Sequence, residues 1–315
     1  MKILHDLDEL AQHNPPDQKL VLTIGAYDGV HIAHRALIAG VVMRARELGG
    51  RAVVITFDPH PDLVLRPQSQ LVLLTDLTDK TALISELSVD FLVIQPFTPD
   101  FTKLSPETFV EKLLGGGDVC EVHLGEDFRF GYKAQGTVER LREEGQARGF
   151  QVRTLASLEV DGQLVSSTAI RKLIAEGNVA QANRWLARAH SLKGVIVQGF
   201  QRGRILGFPT ANMAVSTQFA VPSNGVYATV TTILSENVSR HSVTNIGVRP
   251  TFDNGVRSVE TFIFDFDQDI YGQTIRVEFI QKLRDEQKFA GLDAIKAQLA
   301  QDVIQARAAL GTAGR

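Results

Sequence analysis

His31 and His34 stand three residues apart at the end of a glycine-bearing decapeptide, Gly25-Ala26-Tyr27-Asp28-Gly29-Val30-His31-Ile32-Ala33-His34. Side chains three apart at the start of a helix can face the same way. The two glycines let the backbone turn sharply and approach a ligand closely. A helix N-terminus adds unpaired N–H groups and a partial positive charge, so Gly25, Asp28 and Gly29 with the two histidines read as a site for nucleotide phosphate. Ser166-Ser167-Thr168-Ala169-Ile170-Arg171 offers a second place of the same kind. Its hydroxyls suit a helix cap, and Arg171, one turn in, adds a charge-assisted donor for phosphate.

Four further groups carry chemistry. Asp58 and His60 lie between prolines in Phe57-Asp58-Pro59-His60-Pro61, as a rigid turn or as part of a site. In Gly125-Glu126-Asp127-Phe128-Arg129-Phe130-Gly131, Phe128 and Phe130 suit either a core or a loop presenting flat faces to a ring, with Asp127 between the glycines. The stretch 199–212 holds Gly199, Gly203 and Arg204, which could wrap polyphosphate or form a plain hairpin. Thr210 and Asn212 are two apart, hence on one side of an extended segment, and their oxygens suit a hard cation such as Mg²⁺. Glu260 shares the parity of Phe262, Phe264 and Phe266, so it is expected on their face, aimed at an apolar interior. A carboxylate there needs a partner or a task, and the task would be general base; the alternative is a frayed, solvated strand end.

The elements that position these residues follow from periodicity. Apolar runs at 20–24, 52–57, 91–94, 119–124 and 151–155 alternate with helical patterns at 35–48, 77–87, 106–114 and 138–148. That alternation predicts a parallel sheet with helices on both faces and ligands beyond the carboxyl ends of its strands. The loops just described fall at those ends. A short helix at 179–186 leads to a junction at 186–191, after which the period changes to two. Strands are expected at 191–197, 226–234, 242–246, 259–267 and 274–280, forming an antiparallel barrel. A final helix carries Leu292, Ile295, Leu299, Val303, Ala306 and Leu310 on one stripe.

Composition sets bounds. At 315 residues two domains are expected. A net charge of −3 supplies no bulk attraction to nucleic acid or an acidic membrane, so an anionic substrate needs a local site. Cys120, the single cysteine, reads as a small core residue and fits a reducing compartment. The charged N-terminus lacks a signal core, and no apolar run reaches membrane-span length, which makes the cytoplasm the expected location.

Gly25–His34 resembles the G-x-F-D-G-x-H-x-G-H signature of the nucleotidyltransferase superfamily, and Ser166–Arg171 its distal S-S-T-x-I-R signature. The 57–61 and 125–131 loops resemble the flavin-side loops of its FMN adenylyltransferase branch. Gly207-Phe208-Pro209-Thr210-Ala211-Asn212 resembles the riboflavin kinase P-T-A-N signature. The segments 245–252, 259–261, 269–272 and 283–289 follow in kinase order. The whole chain thus resembles the bacterial bifunctional riboflavin kinase/FMN adenylyltransferases. The resemblance implies a Rossmann-like nucleotidyltransferase domain over 1–186, an α/β parallel sheet with helices on both faces. It implies a riboflavin kinase domain over 187–315, an antiparallel β-barrel with a terminal helix.

The roles it implies are catalysis by Glu260, His31, His34 and Arg171. ATP or phosphate would be bound by Gly25, Asp28, Gly29, Ser166, Ser167, Thr168, Gly199, Gly203 and Arg204. Asp58, His60, Asp127, Phe128, Phe130 and Arg284 would bind flavin, and Thr210 and Asn212 the Mg²⁺. The expected partners are riboflavin, FMN and ATP as co-substrate, without nucleic acid or membrane and with self-association allowed. Ala33 stands where the family has glycine; its methyl would either crowd the phosphates or, were a positive φ required there, strain the backbone by about 1–2 kcal/mol.

Overall fold

The computed structural model describes residues 1–199, 207–248 and 257–311. Two compact units divide the chain, Met1–Ser167 and Thr168–Arg315.

The first unit is built on six strands: β1 (Lys2–Leu4), β2 (Lys19–Ile24), β3 (Arg51–Asp58), β4 (Phe91–Pro96), β5 (Asp118–Gly125) and β6 (Gln151–Leu155). They pair in the order β1-β4-β3-β2-β5-β6, every pairing parallel. The central strands are buried on both faces, which is why they read as unbroken apolar runs. Leu20, Leu22, Val53 and Ile55 enter one core, and Val21, Ala52 and Val54 the other. Between the strands lie α1 (Leu10–His13), α2 (Ile32–Glu47), α3 (Pro61–Leu65), α4 (Leu77–Ser85), α5 (Pro106–Leu114) and α6 (Val138–Arg148). Ile38, Val41 and Ala45 of α2 cover the second core. Cys120 is half-buried against it, as the sequence suggested.

The strand order fixes where a ligand can enter. From β2 the chain proceeds outward to β3 and β4, then crosses back to place β5 on the other side of β2. Loops leaving β2 and β5 therefore diverge and leave a crevice beyond their carboxyl ends. A short hairpin of β7 (Glu159–Val160) and β8 (Gln163–Leu164) follows, then α7 (Ser167–Ala175) and α8 (Val179–Leu186).

In the second unit β9 (His190–Val197), β10 (Ala211–Val215), β11 (Gly225–Ile233), β12 (Val238–Val248), β13 (Arg257–Ile263) and β14 (Thr274–Arg284) close into an antiparallel barrel, ordered β10-β13-β12-β11-β14-β9. Its interior holds Leu192, Ile196, Met213, Tyr227, Ile246, Val259, Ile263, Val277 and Phe279. A ladder of fully buried hydroxyls shares that interior. Thr231 bonds Ser242 at 2.7 Å, Ser242 bonds Thr229 at 2.7 Å, Thr229 bonds Thr244 at 2.8 Å and Thr244 bonds Thr261 at 2.9 Å. Each hydroxyl satisfies its neighbour, which makes its burial tolerable.

The last helix, α9 (Leu292–Ala309), lies on the outside of the barrel. Val303, Ala306, Ala309 and Leu310 meet Val226, Ala228, Val243, Phe262 and Phe264 there. The expected stripe fails only at its start, where Leu292 is 66% exposed; Ile295 and Leu299 are half-buried.

Candidate active sites

In the first unit, His31 caps α2: its Nδ1 accepts from the His34 N–H at 3.4 Å, leaving the ring proton on Nε2. The two imidazoles stack, with centroids 3.6 Å apart. Tyr27 meets His34 edge-on at 5.2 Å and bonds Thr23 through its hydroxyl at 2.6 Å. Gly25 is required there, because a Cβ would press on the Tyr27 ring at 2.9 Å. Burial, then the positive fields of His31 and Lys80, hold His34 well below the usual histidine range, so its ring is neutral. Its Nδ1 is buried without a hydrogen-bond partner among the described residues.

Ser167 Oγ donates to the Asp28 carbonyl at 2.8 Å, which brings the distal serine motif against the decapeptide across 139 residues of sequence. Ser166 is half-buried beside it, whereas Thr168 and Arg171 belong to the second unit. The Asp28 side chain departs from the expected phosphate contact. It is 4% exposed, and its carboxylate accepts from the Leu74 N–H at 3.0 Å and the Thr75 N–H at 3.2 Å, while Gly29 N–H donates to Thr75 Oγ1. A carboxylate repels phosphate, and this one anchors the turn instead. The strain foreseen at Ala33 is also absent, for Ala33 lies in the first turn of α2. Positive φ falls on Tyr27 (49°) and on the β-branched Val30 (41°).

Lys80 of α4 was not singled out from the sequence. It is 7% exposed, and its Nζ donates to Ala26 O at 3.2 Å, Thr56 Oγ1 at 3.2 Å and Phe57 O at 3.3 Å. Burial lowers its pKa, partly offset by Asp28 and Asp58.

Asp58 is exposed at the carboxyl end of β3, and His60 caps α3 by accepting from the Asp62 N–H at 3.2 Å. Asp127 is exposed and Phe128 half-buried. Phe130 departs from the expected ring-facing role. It is 6% exposed, packs on Phe109 with centroids 5.2 Å apart and pairs with Gly136 across its loop. Phe128 stacks above it at 5.8 Å. Phe57, Phe97 and Phe101 continue this aromatic series past the ends of β3 and β4, a grouping that no local pattern announces.

In the barrel, register brings the second set together. Asn212 on β10 lies directly opposite Glu260 on β13, and Glu260 directly opposite Asn245 on β12. Cross-strand partners of this kind have Cβ atoms about 4.5–5.5 Å apart. Parity placed Glu260 with Phe262 and Phe264 correctly but assigned the wrong face. The interior belongs to Val259, Thr261 and Ile263; Phe262 and Phe264 face outward beneath α9, and half-buried Glu260 is on that outer face. Helix cover makes both faces of β13 locally apolar, which is why alternation alone misled.

Gly199 must be glycine, because a Cβ would overlap the Asn212 amide, and at Gly247 a Cβ would overlap the Glu286 carboxylate. Thr210 is half-buried just before β10 and lines a cavity of about 340 Å³ with Ala211, Thr261, Phe266, Asp269 and Tyr271. Gly203 and Arg204 lie outside the described residues. Arg284, expected at flavin, is committed elsewhere: its guanidinium forms two bonds to fully buried Asp302 of α9, at 2.8 and 2.7 Å.

Comparison with known proteins finds two family matches in succession. Residues 13–169 match the family described as FAD synthetase, and residues 186–310 the riboflavin kinase family. A protein of Listeria monocytogenes named bifunctional riboflavin kinase/FMN adenylyltransferase is 36% identical over 294 residues, 93% of each chain. Its namesake in Escherichia coli K12 is 35% identical over 312 residues, 99% of this chain and 98% of that one. A crystal structure from Streptococcus pneumoniae described as a macrolide-efflux protein superposes with a TM-score of 0.86 at 27% identity, covering 97% of this chain and 98% of that one. Among the described residues here, no helix is long and apolar enough to cross a membrane.

Proposed function

The chain belongs to the bifunctional riboflavin kinase/FMN adenylyltransferase family, and from that premise we propose which residues carry each of its two reactions. It makes FAD from riboflavin in two ATP-dependent steps. Riboflavin is first phosphorylated to FMN, and FMN is then adenylylated with release of pyrophosphate. We assign the second step to residues 1–186, the first to residues 187–315, and the enzyme to the cytoplasm.

In adenylyl transfer an FMN phosphate oxygen attacks the α-phosphorus of ATP, and the bond to the bridging oxygen of pyrophosphate breaks. The α2 N-terminus, Gly25, Gly29, Ser166 and Ser167 bind the polyphosphate, through N–H groups and hydroxyls. His31 and His34 donate hydrogen bonds to the transferring and leaving phosphates. Because His34 is neutral, it acts as an oriented dipole rather than as a cation. Its unpartnered Nδ1 supports this role, since in the tautomer that carries the proton there it would gain an acceptor when phosphate enters. Asp58, His60, Asp127 and Phe128 receive the isoalloxazine, with Phe130 supporting Phe128 from below.

In phosphoryl transfer Glu260 accepts the proton of the terminal ribityl hydroxyl as its oxygen attacks the γ-phosphorus and ADP leaves. Asn212, opposite Glu260, and Thr210, two residues before it, offer an amide and a hydroxyl oxygen, a hard-oxygen set that fits Mg²⁺ keeping several of its waters. Bound there, Mg²⁺ would neutralise charge on the ATP phosphates. The cavity beside Thr210 takes the nucleotide.

The observation that carries the reading is the direct opposition of Asn212 and Glu260, residues 48 apart in number and joined only by barrel register. The test is incubation of the full chain with riboflavin and Mg-ATP, separating FMN and FAD by chromatography over time. Glu260→Gln is expected to abolish FMN formation and spare FMN-to-FAD conversion, and His34→Ala to do the reverse. Loss of both activities in either variant would overturn the assignment of the two steps.

A further inference from the structure

Resting on the assignment of adenylyl transfer to the Gly25–His34 turn, we propose that Lys80 is a positioning residue for that reaction. Its ammonium ties the turn to the carboxyl end of β3 and sets the height at which the turn's N–H groups and histidines meet polyphosphate.

The hydrogen bonds are complete on the lysine side. An ammonium has three donors, and Lys80 Nζ has three acceptors: Ala26 O in the turn, and Thr56 Oγ1 and Phe57 O in β3. Thr56 Oγ1 also donates to Ala26 O at 3.1 Å, so one carbonyl of the turn is held from two sides. The next residue, Tyr27, carries the first of the turn's three positive-φ conformations, ahead of Gly29 and Val30, and its ring meets His34 edge-on. Conformations of this kind persist only where the surroundings over-determine them.

The same segment grips the turn a second time. Leu74 and Thr75, just before α4, hold the Asp28 carboxylate, and Lys80 on α4 holds Ala26. The turn is thereby fixed at two points two residues apart, by an anion on its own side chain and by a cation from α4. A neutral amide of similar length carries two N–H donors against three oxygens and a thioether carries none, so the three-way tie between the turn and β3 is broken by either. The charge has a second consequence, because a desolvated ammonium projects a positive potential onto the site, and His34 feels it. A polyphosphate with its developing charge would feel it too.

The experiment uses the full chain, so that FMN formation from riboflavin serves as an internal control. Lys80→Met is expected to lower kcat for FMN-to-FAD conversion by at least ~100-fold, with KM for FMN and ATP within about threefold and FMN formation within about twofold of wild type. Lys80→Arg, which keeps the charge and can reach at least one of the oxygens, should recover at least ~10-fold of that loss. A general loss of fold would instead move both activities and the thermal transition, and Lys80→Arg would not separate from Lys80→Met. Should Lys80→Met fail to fold, Lys80→Gln decides, with an expected fall of at least ~10-fold in the same kcat. An adenylyl kcat within about threefold of wild type in folded Lys80→Met or Lys80→Gln, while His34→Ala is inactive, overturns the role of Lys80. If His34→Ala also converts FMN normally, the site assignment fails instead.

Discussion

Removing the Asp302 carboxylate isolates what Arg284 does. Asp302 has no exposure, and it accepts two bonds from Arg284 and a third from Gln298 at 2.9 Å. The Arg284 side chain is only 15% exposed, so Asp302→Ala leaves a largely desolvated guanidinium with no carboxylate at the end of β14. Breaking one side of a buried pair typically costs about 3–5 kcal/mol. At roughly 2–4 °C per kcal/mol for a unit of this size, the barrel's melting transition should fall by about 6–20 °C. Arg284→Met/Asp302→Leu removes both charges and restores apolar volume beneath α9, so it should lie within about 1 kcal/mol of wild type. Denaturant unfolding followed by circular dichroism gives both values. The riboflavin KM of the double variant, measured well below its melting temperature, completes the assay. With Arg284 serving α9 rather than flavin, that KM stays within about threefold of wild type. A stable double variant whose riboflavin KM rises tenfold or more would refute the reasoning, as would a single variant that loses less than about 1 kcal/mol.

His34 links the fold of the first unit to pH. Burial keeps its folded pKa below the unfolded value of 6.5, so the stabilisation is present above 6.5 and is lost as pH falls toward the folded value. Between pH 7.5 and 5.5 wild type should lose up to about 1.4 kcal/mol more than His34→Gln in the unfolding transition of this unit; parallel pH profiles would sink the idea. Thr229→Val tests the barrel's hydroxyl ladder, since it removes the middle member and leaves Ser242, still bonded to Thr231, and Thr244, still bonded to Thr261, each one hydrogen bond short in a buried interior. A loss of about 1–3 kcal/mol is expected by chemical denaturation, and a change under about 0.5 kcal/mol would show the ladder to be dispensable.

Local chemistry carries far in this chain. Strand, glycine turn and histidine spacing are all short-range, so the strand–turn–helix layout around Gly25–His34 is legible in the sequence, and with it the reading as a phosphate turn that the assays above test. Runs such as Ala52–Phe57 declare a strand buried on both faces, and the change of period after residue 191 announces the barrel. The Ser166–Arg171 motif likewise read as a helix start, and Ser167 does meet the first turn.

What remained hidden depends on which surface packs against which. Alternation along β13 separates two faces without saying which one the barrel encloses, because α9 makes the outer face apolar as well; Glu260 was grouped correctly and aimed wrongly. Phe130 and Arg284 are chemically able to meet a ring or a phosphate, yet Phe109 and Asp302, distant in sequence, occupy them. Asp28 looked available to a ligand until the 74–75 segment claimed its carboxylate. Lys80 shows the limit most plainly. In Leu77–Ser85 it reads as one more solvated lysine on a helix, since nothing local tells a cation that it will be buried. Three oxygens from the ends of β2 and β3 decide that, and the parallel sheet alone brings them to one point.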